Sequence, residues 1–302
     1  PVLAMLSEND ALPEIGHGCG HNLIAMVGAG SGIAIKKFLP RGEIHVIGTP
    51  AEETEGAKVI MADKGAFGGY DAVMMAHPHA ESFDSYNSNA LIARYIEFFG
   101  KTSHAAASPE EGVNALDAMV SFFNSVGLLR QQISDGQRIH GVILNGGEAP
   151  NIIPDYTRAE FYIRSHKMSE AAELAQRVYN CAKGAAVQTG CTVKISQAEI
   201  DFKDMVSNMT LSDLACDNME CFEGEKIPRR GGGVTMGSSD MGDVSYKAPA
   251  IQLSFGIDPP GGSRPALHTR EFASLACSAY GLDAAIRFIK GFAKTAVDLA
   301  TE

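Results

Sequence analysis

The hydrophobic positions of the first eighty residues fall into short runs divided by mixed segments. Residues 2–6 form an unbroken apolar stretch, the pattern of a strand buried on both faces, 71–76 is a further apolar run opening on Asp71, and 43–49 supplies a strand between them. The segments separating these runs have helical spacing. Asn22 is placed to cap a helix that reaches about Phe38, rich in Gly and Ala as if packed closely on a sheet, and a second helix is expected over 56–64. Strand, helix, strand in this order predicts parallel βαβ units.

From about Tyr86 the pattern changes. Strands are expected at 91–99, 139–145, 157–164 and 191–197, with helices at 112–130 and 169–189. That order, β-α-β-β-α-β, is the ferredoxin-like unit, which has its own two-layer core and can be inserted into another domain. A helix near Leu211 to Cys221, a Gly-rich loop over 224–242, a strand over 248–255 and a closing helix from about Ala276 follow. The expected fold class is therefore α/β: a central, mostly parallel sheet with helices on both faces, formed by 1–85 and 206–302, and an inserted ferredoxin-like domain over 86–205.

The chemistry concentrates where such a sheet gathers its ligands, just beyond the carboxyl ends of the strands. Gly16-His17-Gly18-Cys19-Gly20-His21-Asn22 follows the first strand, and Cys and His are the side chains that hold borderline-soft metals. Glu52 and Glu53 follow the second strand, His77 the third and His268 the last. Cys19, His21, Glu53, His77 and His268 are five candidate ligands, more than one tetrahedral zinc with an open position uses. Two ions sharing a hydroxide would use all five and provide a nucleophile at neutral pH. The adjacent Glu52 is then free to act as general base. Asp10 either orients a ligand from behind or only forms the turn before Pro13. His104, between the first strand and first helix of the inserted domain, is a donor to a developing oxyanion or an exposed helix-start residue. Asn151 and Arg164 can bind a substrate carboxylate, although Arg164 is equally consistent with a solvated strand end.

Composition narrows the partners. A formal net charge of -11 argues against nucleic acid, and no apolar run approaches the roughly 20 residues that span a bilayer. The six cysteines, at 19, 181, 191, 216, 221 and 277, form no disulfide pattern, and a ligating thiol suits a reducing compartment, so a cytoplasmic location is expected. The chain opens on Pro-Val-Leu-Ala-Met-Leu, an apolar strand with no Met before it, which leads to the expectation that the true N-terminus lies upstream.

Asp10-Ala-Leu-Pro with Gly-His-Gly-Cys-Gly-His-Asn, Gly48-Thr-Pro-Ala-Glu-Glu-Thr, Met75-Ala-His-Pro, Thr102-Ser-His-Ala, the Asn151-Ile-Ile-Pro segment, Gly237-Ser-Ser-Asp-Met-Gly-Asp and Leu267-His-Thr together resemble the dinuclear metallopeptidases of the aminoacylase and carboxypeptidase-G type, peptidase family M20. Within it they are most similar to the amidohydrolase branch with aminobenzoyl-glutamate hydrolase and the β-alanyl dipeptidase-like proteins. The resemblance spans nearly the whole chain. It implies a catalytic domain split around a smaller lid that mediates homodimerisation, two divalent ions (zinc or manganese, with cobalt or nickel also compatible) held by the five ligands above, Glu52 as base, a lid histidine at His104 reaching a neighbouring subunit's site, and Asn151 and Arg164 seating the substrate. The implied reaction is hydrolysis of the amide bond of a small N-acyl amino acid, aminoacyl conjugate or dipeptide with a free carboxylate. A non-catalytic binding or metal-sensing protein on the same scaffold is the alternative. Two departures stand out: Glu8-Asn9-Asp10 occupies the place of His-x-Asp in many relatives, and Asn22 that of an Asp.

Overall fold

The computed structural model describes residues 1–301 apart from 225, 232 and 234–236, so part of the expected Gly-rich loop lies outside the described residues. The chain divides into two compact units: Pro1–Ser88 with Met205–Glu302, and Asn89–Asp204.

The first unit is built on β1 (Val2–Glu8), β2 (Glu43–Thr49), β3 (Ala72–His79) and β8 (Ala250–Gly256), all parallel, in the order β2-β1-β3-β8. Side chains alternate across β1, which makes a continuous apolar run necessary. Leu3 and Met5 enter one core with Leu23 and Val27 of α1 (His21–Phe38) and with Phe288 and Phe292 of α8 (Ala279–Thr301). Ala4 and Leu6 enter the other, with Phe67 and with Val244 of α6 (Met241–Ser245). Helices thus cover both faces. α2 (Ala57–Asp63) and α5 (Met209–Glu223) complete the layers. Gly28 lets α1 lie directly on β1, since a Cβ there would sit 2.5 Å from the Leu6 carbonyl oxygen.

Three details depart from expectation. Asn22 does not cap α1: the cap position is Gly20, in the left-handed region at φ 76°, and Asn22 Nδ2 instead donates to the Ala276 carbonyl at 2.9 Å. β3 does not end before His77 but continues to His79, with His77 paired to Ser254 of β8. A further helix, α7 (Arg270–Ala276), capped by the Thr269 side chain, precedes the expected closing helix, which is α8 and begins at Ala279, with Ser278 Oγ accepting the Gly281 N–H at 3.0 Å. Among the described residues no single helix is long and apolar enough to cross a membrane.

The second unit runs β4 (Ala90–Phe99), α3 (Ala115–Leu129), β5 (Arg138–Asn145), β6 (Tyr156–Ser165), α4 (Met168–Thr189), β7 (Thr192–Gln197). Its sheet is antiparallel, ordered β5-β6-β4-β7, as the ferredoxin-like reading requires. β6 alternates strictly between buried and half-buried positions, and Phe161 from its buried face packs edge-on against Phe122 of α3 with ring centroids 4.9 Å apart. α3 starts at Ala115 rather than 112 because the Asn114 side chain accepts from the N–H groups of Leu116 and Asp117.

Candidate metal centre and active site

Four loops or strand ends at the carboxyl edge of the first unit's sheet bring the proposed ligands together. Cys19 closes the loop between β1 and α1, and His21 is the first residue of α1. Glu52 and Glu53 sit in the turn after β2, where Ala51 takes a left-handed φ of 59°. His77 lies near the end of β3. His268 follows β8 with φ 65°, its N–H donating to the Gly18 carbonyl at 2.9 Å, which ties the last loop to the first. Two non-glycine residues held in this sparsely populated region mark a backbone bent to aim side chains inward.

The donor atoms converge. Cys19 Sγ is 3.8 Å from His77 Nε2, His21 Nε2 is 3.8 Å from Glu53 Oε1, and His268 Nε2 is 3.5 Å from the same oxygen. Cys19, His21 and His77 form one set whose donors all lie within 4.8 Å of one another, and Cys19, Glu53 and His268 form another. A third set of the same size joins His21, Glu52 and Glu53. Shared membership of Cys19 and of Glu53 is what two adjacent ions need.

Two of the imidazoles, His77 and His21, are held through Nδ1, which leaves Nε2 directed at the other candidate ligands. His77 Nδ1 lies 2.8 Å from the Pro78 carbonyl, to which only an Nδ1–H can donate, leaving Nε2 as an acceptor toward Cys19. His21 Nδ1 is 2.9 Å from Asp10 Oδ1, and the other Asp10 oxygen accepts the Glu53 N–H at 3.0 Å. One carboxylate therefore fixes two candidate ligands. His21 Nε2 and Glu53 Oε1 are buried without any hydrogen-bond partner among the described residues. Polar atoms are not left so inside a protein unless something else satisfies them, and a soft-to-borderline donor set with two unsatisfied inward-facing atoms fits divalent cations.

The electrostatics follow from crowding. Burial, then the Glu53 carboxylate, pushes the Cys19 thiol up, so a cation is needed to hold the thiolate. Burial opposes charge on His21, but the hydrogen bond to Asp10 and the Glu8 carboxylate outweigh it and raise its pKa to about 9. Asp10 also resists burial and falls to about 2 through its bonds with His21 and the Glu53 N–H. Burial, then the charges of Glu8 and Asp240, raises Glu52 to about 8. A carboxylate that takes a proton this readily is suited to general base work.

Sequence reasoning missed a buried ion cluster behind the site. Lys58, fully buried on α2, contacts Glu8 at 2.5 Å and Asp240 at 2.6 Å, and Glu8 Oε2 lies 3.5 Å from His21 Nε2. Its only signals are a lysine within an apolar helix stretch and the aspartate of the Gly-Ser-Ser-Asp-Met-Gly segment.

His104, Asn151 and Arg164 belong to the second unit. There His104 is exposed, bridges to Ile152, and accepts the N–H groups of Ala106 and Ala107 on Nδ1. Ala105 N–H donates to the Asn151 carbonyl at 3.0 Å, so these two segments are neighbours. Arg164 is on β6, paired with Leu91 and Arg138, and is half-buried rather than a fully solvated strand end.

Comparison with known proteins agrees with this geometry. Residues 88–190 match the peptidase dimerisation domain of M20 proteins. The mouse Xaa-Arg dipeptidase is 39% identical over 308 residues, covering 98% of this chain and 70% of the mouse protein. The human Xaa-Arg dipeptidase is 38% identical over 309 residues, 98% of this chain and 69% of its own. One polypeptide of the Escherichia coli p-aminobenzoyl-glutamate hydrolase is 34% identical over 218 residues, 64% of this chain and 45% of that one. In structure, the aminobenzoyl-glutamate utilization protein of Klebsiella pneumoniae superposes with a TM-score of 0.68 at 19% identity, over 99% of this chain and 71% of its own. The Bacillus subtilis YXEP protein, a dinuclear metal binding peptidase, gives 0.67 at 16% identity over 99% and 81%. The chain belongs to the M20 peptidase family and is an enzyme of that metal-dependent, amide-hydrolysing class.

Proposed function

We propose that this chain hydrolyses the amide bond of a small N-acyl amino acid, aminoacyl conjugate or dipeptide bearing a free carboxylate. Cys19, His21, Glu53, His77 and His268 hold two divalent cations, zinc or manganese, with cobalt and nickel compatible with the same donors. When bound, the ions supply a Lewis acid and a nucleophile active at neutral pH. Asp10 keeps His21 in the tautomer that ligates. Glu52 takes the proton of the attacking water and delivers it to the departing amine nitrogen, and His104 donates to the developing oxyanion. Asn151 and Arg164 seat the carboxylate, the guanidinium by its planar fork. The second unit serves as lid and pairs with that of a second copy to form a homodimer, and the reducing cytoplasm suits the ligating thiol.

The observation that carries this reading is the pair of unsatisfied buried donors, His21 Nε2 and Glu53 Oε1, facing each other beside a carboxyl raised to about 8. Glu52→Gln tests it. Ion content of the purified variant is expected to match wild type, while kcat on a panel of N-acyl amino acids and dipeptides falls by about 10²–10⁴-fold. Retention of kcat in an ion-replete Glu52→Gln protein removes Glu52 from the role.

A further inference from the structure

A cavity of about 310 Å³ opens at the candidate centre, and one side chain of its wall has no task in the hydrolysis above. In the roles already assigned, Cys19, Glu53, His77 and His268 ligate and Glu52 takes a proton. None of them offers a hydrogen to a substrate's carbonyl oxygen. Tyr86 lines the same cavity, and unlike His104 it belongs to the unit that carries the ligands. It is 9% exposed and held at both ends. Its backbone carbonyl accepts Ser207 Oγ at 2.8 Å, its ring packs on Phe83 with centroids 5.6 Å apart, and its Oη accepts Gln252 Nε2 at 2.6 Å. Gln252, on β8 and 2% exposed, is tied in turn by its backbone N–H to Ser85 Oγ at 2.9 Å.

The direction of the bond between Tyr86 and Gln252 decides what the phenol can do. A phenol has a single hydrogen and, with an ordinary pKa near 10, keeps it at neutral pH. Because the amide nitrogen donates to Oη, that hydrogen is not spent on Gln252, and Oη has no other partner among the described residues. A buried O–H without an acceptor is unfavourable, and an acceptor brought by a ligand relieves it. During amide hydrolysis the acceptor whose demand grows is the carbonyl oxygen as it becomes an oxyanion. A donor already fixed in place stabilises that charge without reorganising.

We propose that Tyr86 is a catalytic residue that donates its phenolic hydrogen to the oxyanion formed from the scissile carbonyl, and that Gln252 is a positioning residue that occupies the phenol oxygen and so directs the hydrogen into the cavity. The inference rests on the amide-hydrolase reading and adds a second donor to His104. It is tested by kcat and KM on the N-acyl amino acid or dipeptide that wild type turns over fastest, by ion content, and by calorimetric affinity for a phosphinic analogue of alanyl-glycine, whose tetrahedral phosphinate replaces the scissile amide. Tyr86→Phe, which removes only the hydroxyl, is expected to keep its ions, to lower kcat about 10²–10³-fold with KM unchanged, and to weaken the phosphinate at least tenfold. Gln252→Glu keeps the shape but puts an accepting oxygen where the donating nitrogen was, so the carboxylate takes the phenol hydrogen for itself. With ions retained, it is expected to lose kcat as Tyr86→Phe does, and the double variant to lose little more than either alone, a non-additivity that loss of packing would not produce. Wild-type kcat in Tyr86→Phe, a loss confined to KM, an unchanged phosphinate affinity or normal turnover by Gln252→Glu overturns the proposal. If Tyr86→Phe does not fold, Gln252→Glu carries the same readouts. An ion-loaded wild type that hydrolyses no member of the panel overturns the amide-hydrolase reading and the inference together, whereas an active wild type with an equally active Tyr86→Phe overturns the inference alone.

Discussion

Asp10 uses both carboxylate oxygens on the candidate centre, one on His21 Nδ1 and one on the Glu53 N–H, and so sets the orientation of two candidate ligands from different loops. Asp10→Ala frees the His21 ring to turn and leaves the Glu53 turn untied. Apparent zinc affinity, measured by chelator competition, is expected to fall about 10–100-fold, the usual cost of removing a carboxylate that orients a ligating histidine. Unchanged affinity would show the bond to be incidental. This residue also illustrates what the sequence reveals. Cys19 and His21, two apart among glycines, advertise ligation by type and spacing. Asp10 leaves its role open, because a carboxylate before Ala-Leu-Pro serves a turn as well as an imidazole, and only the 2.9 Å contact decides.

At the scale of elements, the parallel strands are legible because a strand buried on both faces has to be apolar throughout, as Leu3 to Leu6 are, and the strand ends then locate the ligands. The boundaries are less so. Asn22 has the side chain of a cap, yet Gly20 starts α1, because a left-handed backbone there turns the Cys19 loop inward. The Glu8–Lys58–Asp240 cluster is invisible from pattern alone, since each residue comes from a different element: the end of β1, the first turn of α2 and the segment entering α6. Lys58 also donates its backbone N–H to Asp240 at 3.1 Å, so it joins those elements twice. Lys58→Met would leave two carboxylates facing each other without their cation in a fully buried place. Such breakage of a buried ion pair costs about 3–5 kcal/mol, and the urea midpoint is expected to drop accordingly with an unchanged slope. A midpoint within error of wild type would mean that Glu8 and Asp240 take up protons at little cost.

For the whole molecule, the remaining question is what covers the edge of the second unit's sheet. β5 is an edge strand, and apart from Ile139 its residues are exposed along its length, including Val142 at 56% and Leu144 at 51%. An apolar edge strand of this kind is a template for pairing with a partner chain. The match of 88–190 to a peptidase dimerisation domain favours a second copy as that partner. The ion-loaded protein is expected to sediment as a dimer at micromolar concentration, and Val142→Lys with Leu144→Lys to shift it toward monomer while each unit keeps its thermal transition. A wild type that stays monomeric, or a double variant that stays dimeric, would move the interface away from β5. Because the proposed role of His104 depends on reaching a neighbouring subunit, a monomeric double variant should also lose turnover while retaining its ions. That coupling between sedimentation and kcat separates a dimer that completes the active site from one that only stabilises the fold.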